Sequence, residues 1–234
     1  MPPHGMPRHG MPRPGLLAGI GLAIALLAAG AAAARAEGGG GALYDVTITN
    51  LTRGQVLSPP VVVAHRNDFR VFRAGEPASP ELAALAEDAD SAGLIAVLQT
   101  EPKVGDVSIG GDAIPPGASL TVPIQLGGGA RTITVLGMLV TTNDAFFSGT
   151  HRVQGPGASF DAPAYDAGSE LNTQDCDHIP GPPCGHPFVR VTEGAEGFVS
   201  ISPGIRSAGD LDVALHDWRN PVARVVVTRA GGND

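Results

Sequence analysis

The chain has 234 residues, with 15 Lys and Arg against 23 Asp and Glu and a formal net charge of −8. That balance disfavours nucleic acid and anionic membranes as partners and favours divalent cations. One Trp, two Tyr and seven Phe argue against an aromatic sugar-stacking platform.

Residues 1–36 read as a cleaved secretory signal. Arg8 and Arg13 supply a positive start, residues 16–34 form an apolar run, and Ala34-Arg35-Ala36 is an A-x-A site. A retained anchor is the competing reading, because the run approaches spanning length. Cleavage leaves twelve basic residues against 23 acidic ones, a net charge of −11. It also predicts a periplasmic or extracellular protein with no later membrane span. Residues 37–42 form a flexible lead, residues 43–230 one domain, and residues 231–234 a tail.

Residues 43–51 alternate Tyr44, Val46 and Ile48 against Asp45, Thr47 and Thr49, the pattern of a half-buried strand. Residues 61–65 form a short β-branched run, and residues 69–72 extend or follow it. Ser79 suits a helix N-cap, Pro80 the first helical position, and Glu81 the positive helix end. Leu82, Leu85, Ala86 and Ala89 then share one face, predicting a helix over residues 79–89. Residues 91–100 fit a second helical piece or a strand. Further strands are predicted at residues 107–109, 120–126, 131–140, 188–192, 198–201, 211–214 and 223–229, with a hairpin tip at 127–129. The expected fold is all-β, an antiparallel sandwich with one short accessory helix.

Cys176 and Cys184 are the two cysteines. In an exported chain they predict a local disulfide that staples a Pro/Gly-rich loop. Closing nine residues stabilises by about 2.5 kcal/mol in the chain-entropy model. Cys176, His178, Cys184 and His186 also have the ligand types of a zinc site, but bridged sulfurs cannot ligate as thiolates. His65 reads better as a packed strand-end residue than as a catalytic base. Asp210 and Asp212 read as a solvated strand face, and Trp218 as a packed residue at a strand end or loop. No G-x-S-x-G or H-E-x-x-H pattern occurs, so the chain reads as a binding module rather than an enzyme. The alternatives are a secreted hydrolase with a structural calcium and a purely structural envelope protein.

Residues 141–149 (TTNDAFFSG) and 165–172 (YDAGSELN) place acidic and amide side chains in short turn-like segments. Brought together, they offer oxygen ligands to a hard cation such as Ca²⁺. The competing reading makes Asp144 and Asp166 caps of their own turns. With residues 44–52, 58–65, 72–90 and 176–185, these segments resemble the spondin N-terminal domain of F-spondin and mindin, across about residues 43–230. The resemblance implies a C2-like β-sandwich with a calcium ion at one end. It carries the ligand role onto Asp144, Asp166 and Glu170. By side-chain chemistry alone, Ser169 and Asn143 offer further oxygen ligands, and Asp161 and Asn172 are weaker candidates. Ala145 stands where the animal proteins have Trp, and Glu170 where they have Asp. The implied function is adhesion or recognition, with an extracellular or envelope protein or glycan as partner.

Overall fold

A computed structural model describes residues 41–206 and 209–231. The segment read as a secretory signal, most of the lead and the last three residues lie outside the described residues.

Two antiparallel sheets form a sandwich. The first has four strands in the order β4 (Ser119–Leu126), β1 (Ala42–Asn50), β10 (Ala223–Arg229) and β7 (Gly157–Ala162). The second has six, in the order β3 (Val104–Ile109), β2 (Val61–His65), β5 (Thr132–Met138), β6 (Ala145–Arg152), β8 (Ala164–Asp166) and β9 (Ser200–Ile201). The sequence expectation of an all-β antiparallel sandwich holds.

Side-chain alternation explains the first sheet. Val46 and Ile48 of β1 and Val225 and Val227 of β10 point into the space between the sheets, while Thr47 and Thr49 stay on the outer side. The central strands β2 and β5 of the six-stranded sheet are buried on both faces, so they read as continuous, largely apolar runs. Ile133 and Val135 of β5 face the first sheet. Leu136 of β5, Val61 and Val63 of β2 and Phe146 of β6 face outward into a second core. That outer core is roofed by α1 (Pro80–Asp88) and α2 (Ala92–Thr100), through Leu82, Leu85, Leu94 and Leu98.

Helix α1 begins as predicted. The Leu82 amide donates to Ser79 Oγ at 3.2 Å, and Pro80 occupies the first turn. Residues 91–100, left open between helix and strand, form α2, so the sandwich carries more than the one helix expected. A short third helix, α3 (Val213–His216), replaces the strand expected at residues 211–214. Asp212 caps it through a 2.8 Å bond from the Ala214 amide, and Asp210 accepts from the Cys176 amide at 3.0 Å. Both acids are exposed, as expected, but neither lies on a strand: Asp212 caps a helix and Asp210 tethers the cysteine loop.

Residues 188–192 are not a strand either. Their chain is tied by polar anchors: the Phe188 amide donates to Asp88 at 2.8 Å, and Arg190 reaches the end of α1. Phe188 and Val189 stay exposed, so no apolar face drives pairing. The strand expected at residues 198–201 shrinks to the two residues of β9.

Candidate functional site

The pairing of β6 with β8 brings the two acidic segments together. Ala145 lies opposite Asp166, and the Ala167 amide continues the ladder to the Asp144 carbonyl at 3.1 Å. Asp144, just ahead of β6, and Asp166, the last residue of β8, are thus neighbours at one end of the sandwich. The chain then turns sharply. The Gly168 amide donates to Asp166 Oδ1 at 2.8 Å, and Gly168 holds a left-handed φ of 66°. A Cβ at this position would overlap the Phe198 backbone. The turn delivers the amides of Ser169 and Glu170 to Asp144 Oδ2, at 2.8 and 3.0 Å. Ser169 Oγ donates to the same oxygen at 3.3 Å.

Asp144, Asp166 and Glu170 are all buried, at 0%, 1% and 2% exposure. Burial pushes the Asp144 carboxyl up to about 7, helped by the charge of Asp166 and opposed by the amides of Glu170 and Ser169. Burial also raises Asp166, against the hydrogen bond from Asn172 Nδ2 to Asp166 Oδ2 at 2.6 Å. Glu170 is pushed up to about 8, first by burial, then by the charges of Glu87 and Asp144, with Arg190 opposing.

Asp166 therefore caps its own turn, as the competing sequence reading held, whereas Asp144 caps the turn of residues 166–170 and not its own. Capping leaves acceptors to spare, however. Asp144 Oδ1 and Glu170 Oε2 are buried without a hydrogen-bond partner. Buried carboxylate oxygens are costly unless something positive meets them. Among the described residues, no group of three or more His, Cys, Asp or Glu side chains is placed to hold a metal ion. The carboxylates are turned instead toward amides and toward Arg190.

Arg190 is the cation the sequence reading missed. Its guanidinium pairs with Glu87 and Asp88 at the end of α1, and its Nε lies 3.6 Å from Glu170 Oε1. Three carboxylates thus share one guanidinium. Glu196 was missed as well. It lies 3.4 Å from Asn172 Nδ2, and its charge raises both Asp144 and Asp166.

The remaining candidates separate. Asn143 turns toward the cysteine loop: its Oδ1 accepts from the Gln174 amide at 3.1 Å, and its Nδ2 donates to the His178 carbonyl at 3.4 Å. Asp161 lies on β7 of the other sheet, 2.5 Å from Arg224. Cys176 and Cys184 form the expected disulfide, which removes both thiols from any zinc site. That loop docks beside the acidic turn, where Thr141 Oγ1 donates to the Pro182 carbonyl at 2.7 Å. Trp218 packs in the main core, and His65 is buried between the Arg66 carbonyl and Thr134, both 2.8 Å from its ring nitrogens.

Among the described residues, no helix is long and apolar enough to cross a membrane. No protein-family model matches the chain, and no curated protein matches it.

Proposed function

We propose that the chain is an exported adhesion or recognition module of the spondin type, stabilised by one calcium ion at the Asp144–Asp166–Glu170 end. The observation that carries this reading is the pair of buried, unpartnered carboxylate oxygens, Asp144 Oδ1 and Glu170 Oε2. Calcium takes hard oxygen ligands, and carboxylate, carbonyl and water oxygens are what this end has to offer. Asp144 and Asp166 would hold the ion, with Glu170 joining once it leaves Arg190, and backbone carbonyls and water completing the set. The ion supplies positive charge where three acids crowd together, and so orders the turn at residues 166–170.

Ordering that turn sets the surface around it. Leu171, Phe188, Val189 and Phe198 are exposed on the same loops and suit recognition of an extracellular or envelope protein or glycan. Export is supported by the disulfide, which belongs to oxidising compartments. The test is a thermal melt of the mature protein with calcium and with EDTA, beside an Asp144→Ala/Asp166→Ala double variant. A calcium-dependent rise that the variant loses supports the ion at these loops. Identical melts with calcium and EDTA in the parent protein sink the ion's role.

A further inference from the structure

The opposite end of the sandwich carries the opposite charge. There β5 begins and β6 ends, with Thr132 paired to Arg152. Beside them lies an open cleft of about 550 Å³ lined by Asn67, Arg70, Thr132, Thr150, His151 and Arg152. Arg70 also lines a neighbouring cleft of about 220 Å³ with Thr134 and Tyr165. Neither cleft has an acidic residue in its lining, although acids outnumber bases in this chain.

The cations here are uncommitted. Arg152 makes no hydrogen bond or ion pair among the described residues. Arg70 donates only to neutral carbonyls, those of Asn67 and Phe69, at 2.7 and 2.6 Å. Those bonds aim the guanidinium without neutralising it. At the cleft wall, the Thr132 hydroxyl is buried with no partner.

A hydroxyl relay adds a second kind of recognition. His65 Nδ1 faces the Arg66 carbonyl, which can only accept, so Nδ1 carries the proton and Nε2 is the acceptor. Burial keeps the ring neutral by lowering its pKa. Thr134 Oγ1, 2.8 Å from Nε2, must then donate to it. Thr150 Oγ1, 2.8 Å from Thr134 Oγ1, must donate in turn. The Thr150 oxygen is left as an acceptor on the cleft, fit for a hydroxyl of a ligand.

We propose that this cleft binds a small hydroxylated phosphate ester, with Arg70 and Arg152 on the phosphate and Thr150 on a hydroxyl. Guanidinium forks match phosphate oxygens in geometry and charge. The site lies away from the acidic turn and does not depend on the calcium reading.

The test is calorimetric titration in calcium-free buffer with glucose 6-phosphate, inorganic phosphate and glucose. Glucose 6-phosphate is expected to bind more tightly than either fragment. Arg152→Gln should weaken it about tenfold, the loss of one charge-assisted bond. Arg224→Gln, on the other sheet, should leave it unchanged. Thr150→Val should weaken glucose 6-phosphate and spare inorganic phosphate, with a melt to confirm folding. Equal affinity of Arg152→Gln and parent overturns the proposal, as does the absence of phosphate binding or equal binding of glucose. Inorganic phosphate bound as tightly as glucose 6-phosphate overturns the ester assignment.

Discussion

The two ends of the sandwich handle charge in opposite ways. At the Asp144 end, carboxylates are buried and crowded, and they meet backbone amides and one shared guanidinium. At the Arg152 end, cations are exposed around an open cleft. Exposed charges are screened by water and cost the fold little. Buried like charges cost a great deal unless neutralised. The acidic end should therefore govern stability, and the basic end should leave it untouched.

The largest expected effect follows from neutralising the acidic end. Calcium at about a hundred times its dissociation constant stabilises by about 2.7 kcal/mol. For a domain of this size that raises the melting temperature by roughly 5–10 °C. Acidity sharpens the test. The raised pKa values of Asp144, near 7, and Glu170, near 8, mean that the calcium-free fold holds protons the unfolded chain releases. Their contribution to stability is full below the unfolded carboxylate range near 4 and is lost as pH rises through about 8. The melting temperature in EDTA should fall between pH 5 and pH 8. Calcium competes with those protons, so its stabilisation should grow over the same interval. A calcium effect equal at both pH values would detach the ion from these carboxylates.

The next effect belongs to the neighbouring loop. Removing the bridge with Cys176→Ser/Cys184→Ser should cost about 2.5 kcal/mol, read as a lower denaturation midpoint. Because the loop holds Thr141 and Asn143, the same variant should also weaken calcium binding. An unchanged calcium affinity would show that the acidic turn stands without the loop.

Arg190→Met comes third. It leaves Glu87, Asp88 and Glu170 without their shared cation while keeping the apolar stem. Arg190 is 38% exposed, so water screens part of the loss, and about 1–3 kcal/mol is expected rather than the full penalty of a buried pair. Freeing Glu170 from Arg190 should also raise calcium affinity, and a titration of the variant against the parent measures it. Weaker calcium binding in Arg190→Met would mean that the guanidinium orders the site instead of competing for it.

Much of the scaffold was legible because its patterns are local. Alternation marked β1, the β-branched run marked β10, and Ser79-Pro80-Glu81 marked the start of α1. Strand β6 was hidden for a physical reason. Phe146 packs under the helices and Phe147 into the space between the sheets, so both faces are apolar and no alternation survives. β7, with Gly157, Ala158 and Ser159, has too little apolar content to announce a strand. Asp144, Asp166 and Glu170 could be named as a cluster from their segments. The register that joins them, Ala145 opposite Asp166, is a property of the folded sheet alone. Arg190, Glu87 and Asp88 escaped because acids in the last turn of a helix read as solvated. Arg190 sits in residues 188–192, which read as a strand, and nothing in that pattern shows that the chain returns to the helix.

The smallest effect is the sharpest test of the contrast between the ends. Arg152 is exposed at the end of β6 and makes no ion pair among the described residues, so Arg152→Gln removes a charge that contributes nothing to the fold. Its unfolding free energy should stay within about 0.5 kcal/mol of the parent. Relief of repulsion from the other cations of the cleft should make any residual change stabilising, and added salt should erase it. Destabilisation beyond about 1 kcal/mol in a denaturant titration would show that Arg152 has a structural partner. The basic end would then be part of the scaffold, as the acidic end is, and the division of stability between the two ends would fail.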